Sequence, residues 1–143
     1  MLIGVNSLLT PDLLHALASM GHGDTIALVD ANFPATRSKR LLRLPGVDVA
    51  TALRAVLSVV PLDDAVPAPA QVMLPAGDGG LPPAVVEMNA ALAERGAAPA
   101  AGLGRHEFYA AAEVAYAVVA TGERRRFGNI LLTKGVVGPG AAP

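Results

Sequence analysis

The feature that most constrains the fold of this chain is the run Thr-Ile-Ala-Leu-Val-Asp at residues 25–30. The run is apolar on both faces of an extended backbone, and this pattern predicts a strand that is buried on both sides. Such a strand needs helices packed against both faces of its sheet. Because the run closes on Asp30, it also places a carboxylate at the end of a buried strand.

Helix signals alternate with short apolar runs along the rest of the chain. Thr10-Pro11-Asp12 predicts a helix start with Thr10 as its N-cap, and Gly21 is predicted to end that helix as the C′ residue. Asp48 is predicted to cap a second helix. This alternation predicts an α/β protein. The predicted helices cover residues 11–20, 49–59, 82–95 and 108–113, and the predicted strands cover residues 25–30, 71–74, 114–120 and 130–134, with short strands near 41–43 and within 96–104.

The composition argues against several classes of protein. The chain has 143 residues and no cysteine, which excludes disulfides, thiolate nucleophiles and cysteine-based metal sites. Aromatic residues make up only 3%, which argues against the stacking platforms that bind single-stranded nucleic acid. The net charge is −1, so no long-range field attracts the chain to DNA or to an acidic membrane. We therefore expect no nucleic-acid partner.

The length matches one domain, which we predict over residues 1–136, with a flexible C-terminal tail at residues 137–143. The longest uncharged run lies between Asp64 and Asp78, contains three prolines and is shorter than the ~20 residues of a membrane-spanning helix. The first charged residue is Asp12, whereas a secretory signal begins with a positive region. We expect a cytoplasmic protein with no membrane partner.

Two polar residues beside the first buried strand are candidates for chemistry. His22 has a glycine on each side, so its backbone is free and its ring has little steric cover, and it lies in a loop between a helix and a strand. Asp30 ends that strand, and open α/β sheets place ligands at the carboxyl ends of their strands. The alternative role of Asp30 is to cap the turn that follows it.

Other polar residues have simpler interpretations. His15 is predicted on the surface of the first helix, and His106 is predicted to precede the fourth helix in a hydrogen-bonding or surface role. Arg124-Arg125-Arg126 is predicted to form a solvated loop tip, although such a cluster also suits a phosphate or nucleic acid.

A metal site is a further alternative, because His22 and Asp24, with His106 or Asp30, offer mixed nitrogen and oxygen ligands. The sequence lacks H-E-x-x-H, G-x-G-x-x-G, G-x-x-x-x-G-K-[ST] and G-x-S-x-G. The metalloprotease, dinucleotide, P-loop and serine-hydrolase classes therefore lose their usual support.

Five segments keep a fixed order and spacing over nearly the whole chain. They are M-G-H-G-D at 20–24, D-A-N-F-P-A at 30–35, R-H-E-F-Y at 105–109, T-G-E at 121–123 and G-N-I-L-L-T-K-G-V at 128–136. Taken together they resemble the L-fucose mutarotase and D-ribose pyranase family. The His-Gly-Asp and Asn-Phe-Pro variants are similar to the fucose branch, since ribose pyranases carry Thr after the histidine and Gly in place of the Asn.

The resemblance implies a compact α/β domain with a central, mostly parallel or mixed sheet flanked by helices. It implies an isomerase that interconverts the anomers of a free monosaccharide, L-fucose, without cofactor or metal. In this reaction a base takes the proton of the anomeric hydroxyl and an acid protonates the ring oxygen, so that the ring opens and recloses on the other face. Histidine suits both steps, because its ordinary pKa lies near neutral pH.

The resemblance also implies a role for each site residue. His22 is the acid and base, Asp30 accepts hydrogen bonds from sugar hydroxyls, and Arg105 donates to them. Phe127-Gly128-Asn129 matches a Tyr-Gly-Asn segment of the family that contacts the sugar. Phenylalanine at position 127 removes one hydroxyl, which affects the expected rate and sugar choice.

The family resemblance further implies a homo-oligomer, a pentameric ring stacked as a decamer, with sites between neighbouring subunits. Three alternatives stay open. A D-ribose pyranase would interconvert pyranose and furanose rings. A non-catalytic sugar-binding or regulatory protein is favoured by the missing hydroxyl at Phe127, whereas a purely structural oligomer is disfavoured by the presence of His22.

Overall fold

A computed structural model describes residues 1–141, which fold into one mixed sheet with helices on both faces. The helices are α1 (Pro11–Ser19), α2 (Val49–Leu57), α3 (Pro83–Ala93) and α4 (Arg105–Val114), with a 3-10 helix at Ala35–Arg37. The strands are β1 (Thr25–Val29), β2 (Leu41–Leu44), β3 (Ala70–Met73), β4 (Ala101–Leu103), β5 (Ala117–Thr121) and β6 (Ile130–Thr133). The predicted α/β class and the mixed sheet flanked by helices are confirmed. Residues 142–143 of the predicted tail lie outside the described residues.

The strand order is β2-β5-β1-β6-β3-β4. Strand β6 runs antiparallel to its neighbours β1 and β3, whereas the remaining neighbouring pairs are parallel. An antiparallel strand begins where its neighbours end. The carboxyl ends of β1, β3 and β5 and the beginning of β6 therefore meet along one side of the sheet, which we name the cleft edge.

Strand β1 divides the core into two layers, as a strand buried on both faces should. Ile26 and Leu28 belong to a large cluster with α1, α2 and α3. Ala27 and Val29 belong to a smaller cluster with α4 on the opposite face. Successive side chains of a strand point to opposite faces, so this alternation places three helices on one side and α4 on the other.

Two helix caps form as the sequence predicts. The Thr10 hydroxyl accepts a hydrogen bond from the Leu13 amide at 3.3 Å, and the Asp48 carboxylate accepts one from the Thr51 amide at 2.7 Å. The predicted C′ role of Gly21 is wrong in its geometry. The last residue before Gly21, the buried Met20, is extended (φ −65°, ψ 136°), and the Asp24 carboxylate accepts the Gly21 amide at 2.7 Å, so a side chain rather than a left-handed glycine turns the chain.

The start of the fourth helix and of the fifth strand also differ from the prediction. Helix α4 begins at Arg105 rather than at residue 108, because Gly104 is already its N-cap and accepts the Phe108 amide at 2.9 Å. His106 consequently lies in the first turn of α4 instead of preceding it. The helix continues to Val114, so β5 starts at Ala117 and not at residue 114. Among residues 1–141, no helix is long and apolar enough to cross a membrane.

The Asp48 cap provides a test of the second helix. Replacing Asp48 by alanine leaves the Thr51 amide without its partner, so we expect the free energy of unfolding to fall by about 1 kcal/mol. Chemical denaturation followed by circular dichroism measures this change. The control is Asp78→Ala in an exposed turn, for which a change within about 0.5 kcal/mol is expected; equal effects of the two substitutions would contradict a capping role for Asp48.

Candidate functional site at the cleft edge

A cleft of about 350 Å³ opens at the cleft edge of the sheet, between β1, β3, the loop before β6 and helix α4. Its volume lies in the range of small-molecule sites. Four of the six predicted site residues line it together, namely Asp30, Arg105, Phe127 and Asn129. Its remaining lining residues are Asn32, Phe33, Met73, Tyr109 and Arg126.

The centre of the cleft is a reciprocal pair between Asp30 and Asn129, both of which are buried. The Asp30 amide donates to Asn129 Oδ1 at 2.9 Å, and Asn129 Nδ2 donates to Asp30 Oδ2 at 2.8 Å. The Asn32 amide donates to Asp30 Oδ1 at 3.0 Å. Asp30 therefore caps its turn, as one interpretation predicts, and it also lines the cleft. Its role in binding a ligand stays a prediction. Each carboxylate oxygen still has a lone pair for a further donor.

The electrostatics of Asp30 follow from its burial. Desolvation raises the pKa of the Asp30 carboxyl above its ordinary value, the charge of Glu123 raises it further, and the hydrogen bonds from Asn32 and Asn129 oppose this rise. The hydrogen bonds favour the ionised form, which is the one that accepts hydrogen bonds from hydroxyls.

Gly128 permits the close packing of the loop behind this pair. A Cβ atom at position 128 would lie 2.5 Å from Glu123 Cγ and 3.5 Å from Asp30 Cβ. The residue before it, Phe127, has a φ of 63°, in the left-handed region that non-glycine residues rarely adopt. The loop is thus held in one unusual conformation that places Phe127 in the cleft wall.

The structure does not bring His22 to this cleft within one chain. His22 precedes β1, whereas Asp30 follows it, and a five-residue strand separates its two ends by about 17 Å. The ring of His22 is 53% exposed, and its Nε2 lies 3.1 Å from Oδ1 of Asp63, which is only 4% exposed. The Ala65 amide, together with His22, lowers the pKa of the Asp63 carboxyl, so this carboxylate is charged at neutral pH.

The simpler interpretations of the other polar residues are confirmed in part. His15 is exposed on α1, and His106 is exposed in the first turn of α4 with its ring edge-on to Tyr109. The predicted solvated tip holds for Arg124, but Arg125 is engaged in ion pairs and Arg126 lines the cleft. Within the described part of the chain, no group of three His, Cys, Asp or Glu side chains converges to hold a metal, so the alternative metal ligands are not assembled.

The sequence patterns do not predict two further residues, Tyr109 in the cleft and Asp63 beside His22. Tyr109 lines the cleft together with Arg105, four positions earlier on the same helix, and residues at i and i+4 share a helix face. That spacing is a signal from which Tyr109 could have been predicted. Asp63 lies in a proline-rich stretch far in sequence from His22, and no local pattern marks their contact.

The fold and the cleft define a class of protein before any relative is considered. A small α/β protein carries, at one edge of its sheet, a cleft that combines a buried carboxylate and amide with the side chains of Arg105 and Tyr109. Such a mixture of acceptors and donors suits a small, hydroxyl-rich ligand.

Comparison with known proteins gives the family. Residues 3–137 match the RbsD / FucU transport protein family, and the chain belongs to that family. It is 44% identical over 144 residues to the fucose mutarotase of Bos taurus, covering 95% of this chain and 94% of the relative.

Two solved structures have the same fold. The fucose mutarotase from Streptococcus pneumoniae in complex with L-fucose is similar with a TM-score of 0.90 and 36% identity, over 96% of this chain and 100% of that chain. RbsD from Bacillus subtilis complexed with D-ribose has a TM-score of 0.76 and 20% identity over 96% of this chain and 100% of that chain, a likeness of fold alone.

Gly128 provides a test of the site geometry. A methyl group at position 128 would overlap Glu123, so Gly128→Ala is expected to lower the free energy of unfolding by about 1–3 kcal/mol. Gly79→Ala is the matched control, since nothing lies within 4 Å of its added Cβ atom. Chemical denaturation of both variants measures the difference, and equal stabilities would contradict the close packing behind the Asp30 and Asn129 pair.

Proposed function

We propose that this protein is a mutarotase that interconverts the α and β anomers of L-fucose. The observation that carries the proposal is the buried Asp30 and Asn129 pair in the cleft, which offers a carboxylate to sugar hydroxyls beside Arg105. The similarity to a fucose mutarotase over 95% of the chain supports L-fucose as the substrate. Asp30, Arg105, Gly128 and Asn129 are the proposed sugar-binding residues, together with Phe127.

His22 is the proposed acid and base of the reaction. As a base it takes the proton of the anomeric hydroxyl, while water delivers a proton to the ring oxygen; the protonated imidazole then returns its proton to the hydroxide that remains. The bond between the anomeric carbon and the ring oxygen then breaks, and an open-chain aldehyde forms. Rotation about the adjacent carbon–carbon bond exposes the other face of the aldehyde, and the reverse proton transfers close the ring as the other anomer. The contact with Asp63 supports this role, because a carboxylate partner orients an imidazole ring.

His22 reaches a cleft only if a neighbouring subunit supplies it. The imidazole is half exposed and lies about one strand length from the cleft of its own chain. We therefore propose a homo-oligomer, a pentameric ring or a decamer of such rings, in which His22 of one subunit faces Asp30 and Asn129 of the next. Contacts between unlike surfaces of identical subunits form a ring when the rotation from one subunit to the next closes on itself, and the proposed pentamer is such a ring.

The residue at position 127 bears on whether the protein catalyses the reaction or only binds the sugar. A phenylalanine offers no hydroxyl for proton transfer, and this favours a second candidate function, a sugar-binding protein without catalysis. Tyr109 lines the same cleft and retains a phenolic hydroxyl, which supports catalysis as the first proposal. The third candidate, a D-ribose pyranase, differs from the first in its substrate.

The cytoplasmic location of the protein stays a prediction.

The catalytic proposal predicts that the wild type accelerates anomer exchange of L-fucose, measured by saturation-transfer NMR. Loss of a positioned acid and base should lower the rate in His22→Ala by roughly 10²–10⁴-fold. Phe127→Tyr should retain or raise the rate, because it adds a hydroxyl to the cleft wall. His15→Ala, on an exposed helix face, is the control and should match the wild type.

Each outcome of this experiment discriminates between the candidate functions. If the wild type binds L-fucose but its anomers exchange no faster than in buffer, the protein is a sugar-binding protein and not a mutarotase. Acceleration of D-ribose ring interconversion without any effect on L-fucose would favour the pyranase instead.

The shared site predicts complementation between two inactive variants. When His22→Ala and Asn129→Ala are co-expressed in equal amounts, about one quarter of the sites should combine an intact His22 with an intact Asn129 if adjacent subunits form each site. The exchange rate of L-fucose should then rise well above that of either variant alone. Light scattering that shows a monomer, or a mixture as inactive as its components, would contradict a site between subunits.

A further inference from the structure

The loop at residues 122–129 joins β5 to β6 and carries three of the proposed sugar-binding residues, Phe127, Gly128 and Asn129. It also carries a carboxylate that does not line the cleft. Glu123 is 3% exposed, and its backbone oxygen accepts the Ala31 amide at 2.8 Å, directly after Asp30. A buried carboxylate is costly unless it is paired.

Arg125 pairs with this carboxylate and with a second one. Its Nε and Nη2 donate to the two carboxylate oxygens of Glu123 at 2.9 and 2.8 Å. Its Nη1 and Nη2 donate to the two carboxylate oxygens of Glu87 on α3 at 2.8 and 2.9 Å. The Arg125 amide also donates to Glu123 Oε1 at 2.8 Å. We name these three residues the Arg125 bridge.

The Arg125 bridge fixes both the orientation and the separation of the loop relative to α3. Bidentate pairs between a guanidinium and a carboxylate restrict the relative orientation of both groups. The bridge connects the loop to α3, which is anchored in the core by the fully buried Val85 and Met88. Hydrogen bonds from Arg125 hold the pKa of the Glu123 carboxyl at about 2, and they lower the pKa of Glu87, so the bridge stays charged throughout the neutral range.

The bridge lies immediately before the strained part of the loop. Phe127 follows Arg125 by two residues and has a φ of 63°. A non-glycine residue keeps such a conformation only where its surroundings hold it. The Asp30 and Asn129 pair holds the loop on the side that follows Phe127, and the bridge holds it on the side that precedes Phe127.

We propose that Arg125 is a positioning residue for the sugar cleft, which acts by holding residues 122–129 against Glu123 and Glu87 in the conformation that binds the sugar. This inference rests on the proposed function of the cleft. Loss of the bridge lets the loop adopt other conformations, so only a fraction of the molecules is ready to bind, and the apparent affinity falls by that fraction. The proton transfers within a bound sugar are unaffected.

Kinetics of anomer exchange at varied L-fucose concentration test the proposal. Arg125→Met and Glu87→Gln should raise KM by roughly three- to ten-fold and leave kcat within about two-fold of the wild type. Glu94→Gln is the matched control, because Glu94 forms a similar two-pronged pair with Arg54 away from the cleft and is 53% exposed, against 51% for Glu87. Arg124→Met, in the same loop, controls for the loss of charge; both controls should keep the wild-type KM.

Hydrogen exchange of the free protein, followed by mass spectrometry, gives a second readout. Peptides that cover residues 122–129 should exchange faster in Glu87→Gln than in Glu94→Gln, while peptides from the core strands stay unchanged. The exposed position of Glu87 allows this variant to decide the matter even if Arg125→Met does not fold.

The possible outcomes separate this inference from the proposed function. An active wild type with unchanged KM and unchanged exchange in Glu87→Gln would overturn the role of the bridge alone. A change in kcat without a change in KM would also overturn it. A wild type that neither binds nor converts L-fucose would overturn both proposals, whereas a wild type that binds without converting it leaves dissociation constants as the test of the bridge.

Discussion

The hydrogen bonds between Asp30 and Asn129 are the interaction on which the rest of the site depends. They connect the end of the central strand β1 to the beginning of β6 and offset part of the cost of burying the Asp30 carboxylate. They also require the loop to approach closely, which is possible because position 128 is a glycine. The same loop places Phe127 in the cleft wall and carries Arg125, whose ion pairs hold it on the other side of Phe127.

Much of the fold follows from local signals in the sequence. The caps at Thr10 and Asp48 begin α1 and α2 through local contacts, and the structure confirms them. The apolar run at residues 25–30 predicts a buried strand, and β1 is found there, although its pairing with β5 and β6 joins distant segments. The insertion of antiparallel β6 between β1 and β3 has no local signal, because strand order depends on pairing between segments far apart in the chain. The start of α4 was missed for a different reason, since Gly104 caps this helix without any side chain.

The residues of the site likewise fall into those that the sequence predicts and those that depend on contacts between distant segments. The position of Asp30 at the end of a strand makes it a candidate, the family resemblance adds Arg105, Phe127 and Asn129, and the structure places all four in one cleft. The ion pairs of Arg125 with Glu87 and the contact of His22 with Asp63 each join two distant segments, and a single sequence contains no record of such contacts. Arg125 therefore looked like part of a solvated cluster, whereas two carboxylates bind its guanidinium group.

The sequence separation of 99 between Asp30 and Asn129 also determines when the cleft can form during synthesis. A growing chain that has only reached β5 contains the central strand, all four helices and Arg105, but its sheet still lacks the strand between β1 and β3. Until the segment with Asn129 and β6 leaves the ribosome, Asp30 lacks the Asn129 side chain as a partner, and β3 and β4 have no neighbour that joins them to β1. The cleft is therefore completed only after β6 has been translated, because a contact between two distant segments cannot form before both have been made.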